Sequence, residues 1–277
     1  MRWDRNHQSS DIDDRRAAGG RMGALGGGGL PLGALLAVGS RFGWKGILVA
    51  VVIVGAMTYG GVCGGTSLCD GGQSSQGVSP APQGGSQDDT SKFVGVVLDD
   101  IQDSWQKRLK GYERTKLVLF RGQVNSACGG ASAAVGPFYC PVDHKVYIDL
   151  SFYDMLRKQF GAPGDFAQAY VIAHEIGHHI QNLQGKLGKG EVNQIQVELQ
   201  ADCLAGAWAK DAESRKLLEV GDIDEALNAA AQIGDDTIQR RTQGRVQPET
   251  WTHGSAAQRS KAFKTGYQGD FSACENN

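Results

Sequence analysis

The chain has 277 residues, room for one globular domain plus appendages, and a hydrophobic fraction of 40%, ordinary for a mostly soluble protein. Its 28 Lys and Arg nearly balance 30 Asp and Glu, a net charge of −2 that leaves no excess of positive charge for binding nucleic acid. No nucleic-acid partner is expected.

Residues 1–45 are polar, then glycine-rich, and low complexity around residues 22–30 argues against a packed fold there. Residues 46–62 carry no charge and include the run Ile47-Leu48-Val49-Ala50-Val51-Val52-Ile53-Val54. That length is at the short end of what spans a bilayer. Arg41, Trp44 and Lys45 precede the segment, and no Lys or Arg follows until Lys92. By the positive-inside rule it reads as one transmembrane helix, with residues 1–45 a cytoplasmic arm and the rest of the chain outside. Residues 22–39 are also uncharged, but seven glycines and Pro31 make them a poor second span. Residues 63–90, rich in Gly, Ser, Gln and Pro, read as a flexible linker.

A domain over residues 91–277 follows. Phe93, Val94, Val97, Leu98, Ile101, Trp105 and Leu109 repeat at helical spacing, and residues 116–120 and 145–150 read as strands. Ser151 with Asp154 resembles a capping arrangement for a short helix reaching about Phe160. Asp222 and Glu225 open another helix that closes near Gly234. Helix, strands, then mainly helices make the fold class α+β, mainly helical with a small β-sheet.

Between these lies the stretch that carries chemistry, His174-Glu175-Ile176-Gly177-His178. It sits in an amphipathic helix that Asp165 can cap and Gly185 can end. Residues four apart share a helix face, so His174 and His178 can offer ring nitrogens to one metal ion. Glu175 is placed to take a proton from a metal-bound water without being a ligand. A second helix is expected over residues 191–210, with Val192, Ile195, Leu199, Cys203 and Ala207 as its buried stripe. Within it, Glu198-Leu199-Gln200-Ala201-Asp202 supplies the third ligand, Glu198, and an acceptor for the other nitrogen of a ligand histidine, Asp202, most simply paired with His174. Neighbouring His179 points about 100° away from His178 and is expected in packing rather than ligation.

His-Glu-x-x-His followed by Glu-x-x-Ala-Asp resembles the gluzincin metallopeptidases. The stretch from residue 91 to 274 is similar to the bacterial putative neutral zinc metallopeptidase family, including Gly136-Pro137-Phe138-Tyr139-Cys140-Pro141, Val146-Tyr147-Ile148-Asp149-Leu150 and Thr252-His253-Gly254-Ser255. A metzincin would need glycine and histidine where this chain has Gln181 and Gln184. The resemblance implies a zincin-like domain, a Zn2+ cofactor and a protein or peptide substrate. The anchor would then lie in the bacterial inner membrane, with the catalytic domain on the extracytoplasmic side.

Three protein ligands leave a position for water, which gives peptide-bond hydrolysis with Glu175 as the base. Residues 145–150 are the candidate edge strand for an extended substrate. The rival reading is a membrane-tethered binding or scaffold protein with a structural zinc, a class usually closed by a fourth ligand and rich in cysteine. Thr252-His253, with Arg259 six positions on, resembles a segment of membrane-associated gluzincins whose histidine faces the substrate oxygen. His253 is therefore the candidate donor for the transition state, ahead of His144, and Ser255 with Gln258 forms a capping box for the helix that follows. Gly254 and Ser255 stand where those relatives often carry prolines.

All six cysteines follow the uncharged segment, where an oxidising compartment would pair them. The expected pairs are Cys128–Cys140, Cys203–Cys274 and Cys63–Cys69. A second metal site from Cys128, Cys140 and His144 is the weaker alternative.

Overall fold

The computed structural model describes residues 1–17, 88–187, 193–269 and 271–275. Helix α1 (Asp89–Arg108) starts where the Asp88 carboxylate accepts the Ser91 N–H, and it buries Phe93, Val94, Val97, Leu98, Ile101 and Trp105, the stripe that its spacing predicts. Strands β2 (Lys116–Phe120) and β6 (Lys145–Asp149) pair in parallel, and β5 (Phe138–Cys140) runs antiparallel along the outer side of β6. A separate hairpin joins β3 (Gln123–Ser126) to β4 (Gly129–Ser132). β2 is apolar without alternation because both its faces are covered. Leu117 and Leu119 enter the main core with the helices, while Val118 and Phe120 pack with Val124, Cys140 and Tyr147.

The helices that follow are α2 (Ser151–Lys158), α3 (Asp165–Leu183), α4 (Gln194–Ser214), α5 (Asp222–Gln232), α6 (Asp235–Gln243) and α7 (Ala256–Gln268). The class is α+β, mainly helical with small sheets, as expected. α4 packs on both α3 and α7. Two glycines allow that closeness: a Cβ on Gly177 would lie 2.9 Å from Ala201 Cα, and one on Gly266 would lie 1.8 Å from the Cys203 carbonyl oxygen. The buried face of α4 differs from the predicted stripe: of that stripe only Cys203 is buried, Ile195, Leu199 and Ala207 are half-buried and Val192 lies outside the described residues, while Glu198, Gln200, Ala201, Asp202, Leu204 and Ala205 are covered.

Two caps differ from expectation. Gly164 is the N-cap of α3, and the Phe166 N–H is taken by Glu225 from α5 at 3.1 Å, while Asp165 turns to the Met1 ammonium at 2.6 Å. At α2 the Ser151 side chain caps nothing, and its N–H goes to Asp149 at 2.8 Å. In both, a carboxylate from outside the helix reaches the free N–H groups first.

Residues 1–17, expected in an arm separate from the domain, pack into it. Strand β1 (Ile12–Asp14) pairs in parallel with β2 and gives the four-stranded order β1-β2-β6-β5. Charge docks it: Asp11 accepts from Arg114 at 2.7 Å and from Lys116 at 2.9 Å, and buried Gln102 donates to Asp11 at 3.0 Å. Arg16 reaches Asp88 at 2.5 Å, so residues 16 and 88 lie side by side. The expected transmembrane helix at 46–62 lies outside the described residues, as do residues 18–45 and the linker as far as residue 87. Among the described residues no helix is long and apolar enough to cross a membrane. A single crossing between residues 17 and 88 would put β1 and β2 on opposite sides, so the single-pass topology with a cytoplasmic N-terminus does not fit the fold. Exposed Gln8 and Lys264, each replaced by Cys in the full chain, should both react or both resist a membrane-impermeant thiol reagent in intact cells. Labelling of one alone would show that β1 is not part of this sheet.

Candidate metal centre

α3 and α4 pack closely enough to bring three ligand atoms together, one each from His174, His178 and Glu198, all within 4.8 Å of one another. Both histidines engage their Nδ1 atoms elsewhere. His174 Nδ1 donates to Asp202 Oδ1 at 2.8 Å, and His178 Nδ1 donates to Gln181 Oε1 at 2.9 Å. Each ring therefore leaves Nε2 facing the gap as the atom available to a metal. His174 Nε2 lies 3.2 Å and His178 Nε2 3.6 Å from Glu198 Oε2. Ligands about 2.0–2.1 Å from a tetrahedral zinc stand roughly 3.3 Å apart, close to these two separations, so the donor set suits that ion. Among the described residues no fourth His, Cys, Asp or Glu joins this cluster.

Behind His174 lies a buried network. Asp202, with no exposed surface, accepts from His174, from the Tyr170 hydroxyl at 2.5 Å and from Arg259 through Nε at 2.8 Å and Nη2 at 3.0 Å. Burial works against its charge, yet Arg259 and then His174 outweigh that and hold its pKa down at about 2. Burial likewise opposes the charge on His174, but Asp202 and Glu198 raise its pKa to about 10. Glu198 is also held down against burial, first by His178 and then by His174. Glu175 differs. Burial dominates and pushes its carboxyl above the usual range, although His174 and His178 pull the other way. Beside it the Tyr153 hydroxyl of α2 is buried without a hydrogen-bond partner among the described residues, and the Glu175 charge acts on it.

His253 lies on the loop before α7, outside the three-ligand cluster. The carboxylate of Asp235 fixes that loop: its Oδ2 accepts the N–H groups of Thr252 at 2.7 Å, His253 at 2.7 Å and Gly254 at 3.1 Å. Its Oδ1 lies 3.2 Å from His253 Nδ1. Gly254 has φ +92°, a conformation closed to proline. A Cβ there would lie 3.2 Å from Ile195, so the loop rests on the first turn of α4, one turn before Glu198. His253 is within electrostatic reach of Glu198. The predicted capping box of Ser255 and Gln258 is present.

Other expectations resolve as follows. His179 donates from Nε2 to the Glu113 carbonyl at 2.6 Å and accepts from Tyr139 at 3.0 Å, with burial lowering its pKa, so it is a packing residue. Cys128–Cys140 and Cys203–Cys274 are disulfides, while Cys63 and Cys69 lie outside the described residues. The first bridge consumes the thiols of the alternative metal site, and exposed His144 packs edge-on to His179 at 6.3 Å. Residues 145–150 are no edge strand, because β6 is paired on both sides; the edge on this flank is β5. Sequence reasoning missed Tyr170, Tyr153 and Asp235 and left Arg259 without its partner. Tyr170 lies four residues before His174 on the same helix face, a spacing that could have been read.

The chain matches the family described as putative neutral zinc metallopeptidase over residues 1–277. It is 42% identical to YpfJ of Escherichia coli K12, over 99% of this chain and 98% of that protein. It is 47% identical to Rv2575 of Mycobacterium tuberculosis H37Rv, over 68% of this chain and 72% of the relative. Both relatives are named as uncharacterized proteins. No solved structure matches.

Proposed function

We propose, from the premise that the chain belongs to the putative neutral zinc metallopeptidase family, that it is a zinc-dependent endopeptidase. The observation that carries this is the convergence of two Nε2 atoms and one carboxylate, with Glu175 next in sequence to the first ligand. Zinc held there would supply Lewis-acid activation of a water and of the scissile carbonyl. Glu175 takes the proton of that water and later returns it to the departing amine. His253, oriented through Nδ1 by Asp235, presents its other nitrogen to the developing oxyanion. An extended peptide can add to β5, the end strand of the sheet among the described residues.

Three protein ligands with no fourth among the described residues favour a catalytic over a structural site. The two disulfides fit an oxidising, extracytoplasmic compartment. Any attachment to the membrane through residues 46–62 must leave residue 17 and residue 88 on one side.

The test is hydrolysis of a denatured protein by the purified full chain, its loss on chelation and its return with Zn2+. Glu198→Ala should fail to recover in the last step, having lost a ligand. Absence of hydrolysis in zinc-loaded wild type would refute the proposal. In the same assay His253→Ala should lower kcat by about 10²–10³ with zinc content unchanged. Turnover near that of wild type would remove His253 from the mechanism.

A further inference from the structure

The second ligand, His178, is held from an unexpected direction. Its Nδ1 meets Gln181 Oε1 at 2.9 Å. Gln181 donates its amide hydrogens to the Val197 carbonyl at 2.7 Å and to Gln200 Oε1 at 3.1 Å. Gln200 in turn donates to the carbonyl of Cys274 at 2.8 Å, and Cys274 is joined to Cys203 of α4 by a disulfide. Gln181 is 1% and Gln200 8% exposed, so water offers little competition for these bonds.

The polarity of this chain of bonds is fixed from its far end. A main-chain carbonyl only accepts, so the Cys274 oxygen requires the NH2 end of Gln200. Gln200 must then show its oxygen to Gln181, which must answer with its own NH2, as the Val197 carbonyl independently demands. Only the oxygen of Gln181 is left for His178. Nδ1 of His178 therefore carries the hydrogen, and Nε2 is left as the metal donor.

We propose that Gln181 and Gln200 are positioning residues of the metal centre, forming a relay that ties the tautomer and aim of His178 to the disulfide-anchored C-terminal turn. This rests on the reading of His174, His178 and Glu198 as metal ligands. The relay makes the turn at residues 271–274 part of the metal site, although it lies nearly one hundred residues beyond His178 in sequence. The Cys203–Cys274 bridge then serves metal binding as well as stability. It holds the Cys274 carbonyl on α4, within reach of Gln200 one helical turn before Cys203.

The experiment measures zinc affinity in the full chain by competition with a chromophoric chelator, with folding followed by thermal melting. Gln181→Met keeps the side-chain volume and removes the relay, and it should weaken zinc about 10–100-fold, the range for loss of a ligand's hydrogen-bond partner. Gln200→Met should weaken it less, and the double variant no more than Gln181→Met alone, because links in series fail together. Replacing both Cys203 and Cys274 by Ser should weaken zinc in the wild-type background and add nothing to Gln181→Met. In metal-free protein, the nitrogen NMR signal of His178 should report a protonated Nδ1 in wild type and a mixture of tautomers in Gln181→Met. Wild type that binds no zinc would overturn the metal reading itself. Wild type that binds zinc, with unchanged affinity in folded Gln181→Met or additive losses in the double variant, would overturn the relay alone. Should Gln181→Met not fold, Gln200→Met with unaltered affinity and an unaltered His178 signal overturns it equally.

Discussion

Asp202→Ala should cost the protein about 3–5 kcal/mol of stability, the range for removing one partner of a buried ion pair. The substitution leaves Arg259, only 3% exposed, without its counter-charge, and leaves the Tyr170 hydroxyl and His174 Nδ1 without their acceptor. Against a total of about 5–15 kcal/mol this is a large fraction, and the melting temperature should fall by on the order of 10 °C. Zinc affinity should fall with it, because His174 loses the bond that orients it. Adding Arg259→Met should restore much of the stability but not the zinc, since it removes the stranded charge and leaves His174 unheld. Asp202 also sets an acid limit. Its folded pKa of about 2 lies below the usual carboxylate value, so its contribution is present above roughly pH 4 and is lost as pH falls through 2. Thermal melts of the two variants decide the matter. A fall of under about 1 kcal/mol for Asp202→Ala would show that Arg259 finds another partner.

What the sequence revealed of this site follows the helix period. His174 with His178, and Glu198 with Asp202, are each four residues apart on one helix, so their shared face could be read locally. Arg259 meets Asp202 from 57 positions away, and Asp235 meets His253 from 18. Such pairings are made by helix packing and leave no periodic trace. β1 escaped for another reason: Ile12-Asp13-Asp14 has no apolar alternation, and what fixes it is the charge of Asp11 on Arg114 and Lys116. α6 is likewise polar along its length, with Gln239 its one buried residue. The strands at 116–120 and 145–149 were legible from their apolar runs, but their neighbours were not. An edge strand and an interior strand differ in what lies beside them, and β6 turned out to lie inside the sheet.

Glu175→Gln should lower hydrolysis by about 10²–10⁴ while zinc binds at the wild-type level, because the change removes a base and no ligand. Its effect on stability should have the opposite sign. In the metal-free protein burial raises the Glu175 pKa above its value in the unfolded chain. The folded state therefore holds that proton more firmly, and the group's contribution declines as pH rises through the folded pKa. Above that folded pKa the ionised carboxylate is a cost to folding that glutamine does not carry, so there metal-free Glu175→Gln should melt no lower than wild type. Loss of activity with equal or greater stability is the signature of a residue kept for chemistry rather than for the fold. Retained turnover would show that another group moves the proton. Lost zinc would show that Glu175 touches the metal, and the assignment of the three ligands to His174, His178 and Glu198 would have to be redrawn.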